Sequence, residues 1–374
     1  MNILIAPDSF KECLTANKVA RSIAHGINKI NPNHNIEEIP ISDGGEGSIE
    51  FLKKNCDGKA VEHETENAIG NKILSEYFKF RNSKKAWIEL SQASGLSLIE
   101  KKNRNPGLTS TYGTGLSIIH AIKSGCSEII LSLGGSATND AGAGIFQALG
   151  GELLDENNKQ IERGCESLFK IKRIKTPKYS NNIKFQIAYD VSNPLLGING
   201  ASKTYSRQKG ATLDQIEKLE KNIFHFSQIV KKDLKIDITK VKGGGSAGGT
   251  AAGLYGLLGA KLTNGFKLIA EFVNLEEKVE LSDIIFTAEG KLDYQSLNGK
   301  VPIELGRLAK KHKKILICLA GSIEPPYENF YRNGITGIFN IQNKPISLGE
   351  SMKDAESQIS DISSRVFSFF EKIQ

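Results

Sequence analysis

"IILSLGGSATNDAGAGIFQALG", residues Ile129 to Gly150, holds the pattern on which the fold turns. An apolar run, Ile129 to Leu133, stops at Gly134 and Gly135. Ser136, Thr138, Asn139 and Asp140 follow, then Gly142, Gly144 and an apolar helical pattern. The order is buried strand, polar glycine loop, helix start. Such a turn presents backbone N–H groups and small hydroxyls at the positive end of a helix, a setting suited to an anionic ligand. Two further loops repeat the theme, "DGGEGS" (Asp43 to Ser48) and "GGGSAGGTAAG" (Gly243 to Gly253). Three glycine-rich loops, two of them with carboxylates, point to a protein that handles phosphate and a metal ion.

Outward from this segment the chain alternates strand and helix. Met1 to Ala6 predicts a buried strand. Thr15 is placed to cap a helix carrying Val19, Ile23, Ile27 and Ile30 at helical spacing. Ile36 to Ile41 predicts a second strand, followed by a helix from about Glu46 to Asn55. The pattern returns late, with strands at Asp283 to Ala288, Lys314 to Leu319 and Gly334 to Ile341, a helix at Lys300 to Lys311, and a closing amphipathic helix from Met352 to Phe370. Between these ends the character changes. Asn67 to Leu90 alternates like antiparallel strands. Thr212 and Gln215 form a capping-box pattern ahead of Leu213, Ile216, Leu219, Ile223 and Phe226 on one helix face. The expected class is therefore α/β, with one parallel-sheet domain built from both chain ends (residues 1–60 and 281–374) and a second, mixed α/β domain inserted (residues 61–280). A ligand cleft is expected at the carboxyl ends of the first domain's strands, between the two domains.

Composition sets the limits. The 374 residues are 39% hydrophobic and 24% charged, as for a globular protein, and the 37 glycines are not periodic. A net charge of +7 is modest, and the basic clusters lack interleaved aromatics, so no nucleic-acid partner is expected. Five dispersed cysteines with no CxxC fit reduced thiols and a cytoplasmic location. The start, "MNILIAPDSF", enters a strand without a signal-peptide pattern, and no apolar stretch approaches the ~20 residues of a membrane span, so no membrane partner is expected.

Acids recur where predicted strands end. Asp8 and Lys11 follow the first, Asp43 and Glu46 the second, Asp190 another, and Glu289 and Asp293 a fourth. A strand-end carboxylate can bind a metal or take a proton, and a nearby lysine can meet a phosphate. Asp8 with Lys11 reads equally well as a turn with a solvated lysine, and Glu46 as a favourable charge at a helix N-terminus. Several sharper motifs are missing: GxxxxGK[ST], HExxH and GxSxG do not occur. Gly243, Gly245 and Gly248 satisfy GxGxxG, but the short basic "ITKVK" before them argues against a dinucleotide site.

Taken together, the blocks resemble the bacterial type I glycerate kinases over nearly the whole chain. The matching segments are "APDSFK" (Ala6 to Lys11), "DGGEGS" (Asp43 to Ser48), "TSTYGTG" (Thr109 to Gly115), "GGSATNDAGAG" (Gly134 to Gly144), "DVSNPLLGINGA" (Asp190 to Ala201), "QKGA" (Gln208 to Ala211), "AGGTAAGL" (Ala247 to Leu254) and "TAEGKLDYQS…GKVP" (Thr287 to Pro302). The resemblance implies Mg·ATP-dependent phosphorylation of D-glycerate, with 2-phosphoglycerate favoured, and a flavodoxin-like domain from both termini. It departs from the usual pattern at Glu12, at Tyr205, Ser206 and Arg207, at Ala288 and Lys291, and at Ser246.

On this reading Asp43 or Asp190 orients or deprotonates the glycerate hydroxyl, with Lys11 offsetting phosphoryl charge or holding the substrate carboxylate. Asp8, Ser9, Lys11, Gly44 and Gly45 contact the substrate. Gly134, Gly135, Ser136, Thr138 and Asn139, with Gly243, Gly244 and Gly245, cradle ATP. Asp8, Asp293 and Glu289 serve Mg²⁺. The rival readings are an ATP-dependent kinase of another small hydroxy acid and a non-catalytic two-domain ligand-binding protein.

Overall fold

Both ends of the chain contribute strands to one parallel sheet. The computed structural model describes every residue except 11–12, 42–44, 46, 178–181, 190–191 and 374, and the side chains of Gln295 and Asn298. Thirteen strands occur among the described residues: β1 (Asn2–Ile5), β2 (Asn35–Glu38), β3 (Gly58–Glu66), β4 (Lys72–Phe80), β5 (Lys85–Glu89), β6 (Glu128–Ser132), β7 (Glu152–Leu154), β8 (Arg173–Lys175), β9 (Lys184–Tyr189), β10 (Lys261–Asn264), β11 (Ile284–Leu292), β12 (Ile315–Ile323) and β13 (Gly337–Asn340). The chain divides into two compact units, Met1–Asp43 with Phe266–Gln374, and Gly44–Gly265. Both boundaries fall earlier in the chain than the expected 60/61 and 280/281, so the helix Ser48–Asn55 belongs to the inserted unit and the helix Leu275–Leu281 to the end-derived one.

In the end-derived unit the strand order is β13-β12-β11-β1-β2, all parallel. Counted within the unit this is the 2-1-3-4-5 order of flavodoxin-like folds, as expected from the resemblance. Strand stretches buried on both faces must be apolar, and β1 carries Ile3 to Ile5, β11 opens with Ile284 to Phe286, and β12 with Ile315 to Leu319. The Thr15 hydroxyl accepts the Lys18 N–H and starts the helix Ala16–Ile30. That helix buries Val19, Ile23 and Ile27 against Ile359 and Phe367 of the final helix, Ala355–Ile373, while Ile30 at its end is exposed. β2 stops three residues before the expected Ile41, but Ile39 N–H still donates to Ile5 and Ile41 N–H to Pro7, so the chain stays aligned with β1.

The inserted unit carries a six-stranded sheet, β10-β9-β6-β5-β4-β3. β3, β4 and β5 pair antiparallel and the rest parallel, which accounts for the alternating pattern between Asn67 and Leu90. The helix Leu213–Leu234 has the complete Thr212–Gln215 capping box and buries Ile216, Leu219, Ile223 and Phe226. Leu213, expected on the same face, is exposed in the first turn.

Candidate active site

The end-derived sheet reverses its winding between β1 and β11. In open α/β sheets ligands bind outside the carboxyl ends of the strands at such a reversal. Asp8 follows β1 there, and its N–H donates to the Ala288 carbonyl of β11 at 2.9 Å. The Asp8 carboxylate is buried and accepts the Ser9 N–H at 2.6 Å and the Ser9 hydroxyl at 3.3 Å. One residue past Ala288, buried Glu289 forms an ion pair at 2.9 Å with Lys300, the residue just before the helix Val301–Lys311. Asp293 accepts the Ser296 N–H and begins the short helical turn Tyr294–Asn298. Lys291 bridges Asp293 and Glu324, and these carboxylates, Glu324 first, raise its pKa. Beside these groups lies a cavity of about 440 Å³, bounded by Ser9, Phe10, Glu289, Lys300, Ile341 and Met352, among others.

Of the acids expected to serve a metal ion, Glu289 is thus committed to Lys300, and Asp293 to its turn and to Lys291. Among the described residues no group of three or more His, Cys, Asp or Glu side chains could hold an ion. Lys11, Asp43, Gly44 and Asp190 lie outside the described residues. Gly45 is described, and its carbonyl accepts the Ser48 hydroxyl.

The inserted unit assigns new roles to the expected phosphate loops. Gly134 is half-buried and Gly135 exposed, at the end of β6. Thr138 and Asn139, in contrast, are wholly buried. The Asn139 side-chain amide donates to Ser202 at 3.1 Å and its carbonyl oxygen accepts from Ser206. Lys209 is 3% exposed and donates to the Thr138 carbonyl at 2.6 Å and the Ser136 hydroxyl at 3.2 Å. Asp140, also fully buried, accepts the Thr111 N–H and hydroxyl and the N–H groups of Gly142 and Gly144. It caps the helix Ala143–Ala148 while fixing the "TSTYGTG" segment. The hydroxyl-rich loop is therefore largely an internal network, with its Gly134–Ser136 edge nearest the surface.

Gly243, Gly244 and Gly245 are buried as well. Gly244 N–H donates to Val241 and Gly245 N–H to Asn193. No strand precedes them, only the single turn Ile238–Lys240, so the GxGxxG spacing is not a dinucleotide motif. The downstream glycines serve packing: a Cβ on Gly253 would lie 1.7 Å from the Ala141 carbonyl oxygen, and Ala141 N–H donates to the Gly248 carbonyl. The first and third loops are thus bonded backbone to backbone.

Five residues missed in the sequence complete these networks. Glu89, at the end of β5, accepts the Ile49 N–H at 2.6 Å, the Ser48 hydroxyl at 2.9 Å and the Gly47 N–H at 3.3 Å, capping the helix Ser48–Asn55. Trp87 Nε1 donates to the same Ser48 hydroxyl. The signal was available, an acid ending the apolar run "AWIEL", but the polar alternation before it masked the strand exit. Asp140, Lys209 and Lys300 sit inside quoted blocks whose glycines and hydroxyls drew the reading. Burial raises the pKa of Glu89 and Asp140. It depresses that of Lys209 to about 7, with the nearby charge of Asp140 opposing.

Residues 3–371 match the model of the glycerate kinase family. The chain belongs to that family. It is 41% identical to a glycerate kinase of Halalkalibacterium halodurans, across 95% of this chain and 94% of the relative. It is 38% identical to glycerate 2-kinase of Escherichia coli, across 96% and 95%. A solved structure from Salmonella typhimurium LT2, provisionally assigned as glycerate kinase 2, superposes with a TM-score of 0.84 at 34% identity, covering 100% of this chain and 98% of that one. The protein is accordingly an enzyme, a kinase that phosphorylates a hydroxyl group, and its substrate is a small molecule. Among the described residues no helix is long and apolar enough to cross a membrane.

Proposed function

We propose that the enzyme transfers the γ-phosphoryl group of Mg·ATP to the 2-hydroxyl of D-glycerate, giving 2-phosphoglycerate and ADP. The observation that carries this reading is the placement of Asp8, Glu289 and Lys300 at the switch point of the parallel sheet, in a chain of the glycerate kinase family. The name of the Escherichia coli relative, glycerate 2-kinase, supports the choice of hydroxyl.

In the transfer the substrate oxygen forms a bond to the γ-phosphorus as the bridging oxygen leaves with ADP. Asp43 or Asp190 takes or orients the hydroxyl proton. Lys11 offsets the charge spread over the phosphoryl oxygens. Nucleotide-bound Mg²⁺ keeps several waters and needs only one or two carboxylates. Asp8 is the acid assigned to it here, and the ion supplies charge neutralisation. Lys300, held by Glu289, adds a fixed cation beside the cavity.

A coupled ADP-release assay tests the activity. ADP release should require D-glycerate and Mg²⁺ together, and the phosphorus NMR spectrum of the product should be that of 2-phosphoglycerate. Glycerate-independent ADP release at the same rate would reject the reading, and a 3-phosphoglycerate spectrum would reject its regiochemistry.

A further inference from the structure

We infer that the 440 Å³ cavity at the carboxyl ends of β1, β11 and β12 binds the adenine nucleoside of the phosphoryl donor. The inference rests on ATP being that donor. The cavity is lined by two kinds of side chain. Phe10, Ile341, Leu348 and Met352 are apolar, and Glu289, Lys291 and Lys300 are ionic. Every carbon of glycerate carries oxygen, so it has no apolar face to set against the first group. A purine has two such faces, and its nucleotide carries anionic phosphates toward lysines. The volume falls in the range of about 300–1,000 Å³ that holds ligands larger than glycerate.

The surrounding backbone makes the room. β11 and β12 stay paired out to Leu292 and Ile323, six residues beyond the last β11 residue paired with β1, Phe286. Along this extension Gly290 and Gly321 border the cavity without side chains to fill it. Gly321 cannot be replaced cheaply, since a Cβ there would stand 2.6 Å from the Gly290 carbonyl oxygen. At the mouth, Leu348 is 74% exposed, and Met352, one turn on in the helix Leu348–Lys353, is half-buried. An exposed leucine held in place by a Ser347–Glu350 capping box gives an entering ring an apolar edge.

Cys13 supplies a reporter. It is half-buried, lines the cavity and donates its thiol to the Met352 carbonyl, whereas Cys56, also half-buried, lies in the inserted unit. Saturating ADP should slow N-ethylmaleimide labelling of Cys13, read by peptide mass spectrometry, and leave Cys56 unchanged. Inorganic tripolyphosphate, which lacks the nucleoside, should not protect. The variant Leu348→Asp/Met352→Asp should weaken ADP binding about tenfold by calorimetry, without raising the KM for glycerate in parallel. If wild-type protein binds ADP calorimetrically with no protection of Cys13, the nucleoside lies elsewhere and the inference fails while the donor assignment stands. If it binds no ADP yet phosphorylates glycerate from another donor, the donor assignment fails and takes the inference with it.

Discussion

The Lys209 ammonium donates to the carbonyl of Thr138 at 2.6 Å inside the inserted unit. A lysine held there loses its hydration, and its pKa falls to about 7. Above that pH the folded protein holds fewer protons at this site than the unfolded chain, where lysine titrates near 10.4. Stability from this group therefore rises with pH between about 7 and 10, by at most about 1.4 kcal/mol per unit. Below pH 7 both states are protonated and the slope vanishes. Urea unfolding at several pH values should show a steeper rise for the wild type than for Lys209→Met. Parallel curves would mean that Lys209 stays charged.

Glu89 is the carboxylate on which the helix Ser48–Asn55 starts. Glu89→Gln keeps the volume but turns an N–H₂ group toward donors that need an acceptor. Stability should fall by about 1–3 kcal/mol, measured as a shift in the urea midpoint at constant m. An unchanged midpoint would show that solvent satisfies those donors equally well.

Substitution of Gly253 inverts the usual helix rule. Gly to Ala in a helix ordinarily stabilises by about 1 kcal/mol. Here the added carbon would meet the Ala141 carbonyl at 1.7 Å, so Gly253→Ala should destabilise by several kcal/mol or yield insoluble protein. A thermal midpoint at or above that of the wild type would refute the close approach.

Lys300→Met should cost about 3–5 kcal/mol, because it removes the lysine that pairs with buried Glu289 at 2.9 Å. Adding Glu289→Gln should restore much of the stability but not the activity. Recovery of both would make the pair purely structural.

Asp43→Asn and Asp190→Asn separate the two proposed bases. The one that handles the hydroxyl proton should lose about 10²–10⁴-fold in kcat, with an unchanged circular dichroism spectrum. Near-normal rates in both folded variants would exclude the pair from proton transfer.

Much of the end-derived unit was legible because its parallel strands are buried on both faces. Runs such as "IIFTA" in β11 and "ILICLA" in β12 can hardly be read otherwise. Thr15 and Thr212 announced their helices because an N-cap is a local device. The interior networks were not legible in the same way. Asn139 and Thr138 look like loop residues, and only the arrival of Ser202, Ser206 and Lys209, more than sixty positions later, buries them. In "AGGTAAGL", Gly248 makes room for the carbonyl of Thr138 and Gly253 for that of Ala141. A sequence shows that a residue is small; it does not show which neighbour needs the space.

The pairing of the helix Ala16–Ile30 with the final helix, Ala355–Ile373, has a consequence for biosynthesis. Translation delivers the first 43 residues early and their partners last. Residues 44–265 can collapse on the ribosome, while β1 and its helix wait with Val19, Ile23 and Ile27 uncovered until Ala355–Ile373 has been made. A chain stalled before Ala355 should then be trimmed by protease to a resistant core from the middle of the sequence. For this enzyme the arrival of the helix Ala355–Ile373, rather than the making of β1, sets when the core of the end-derived unit is closed.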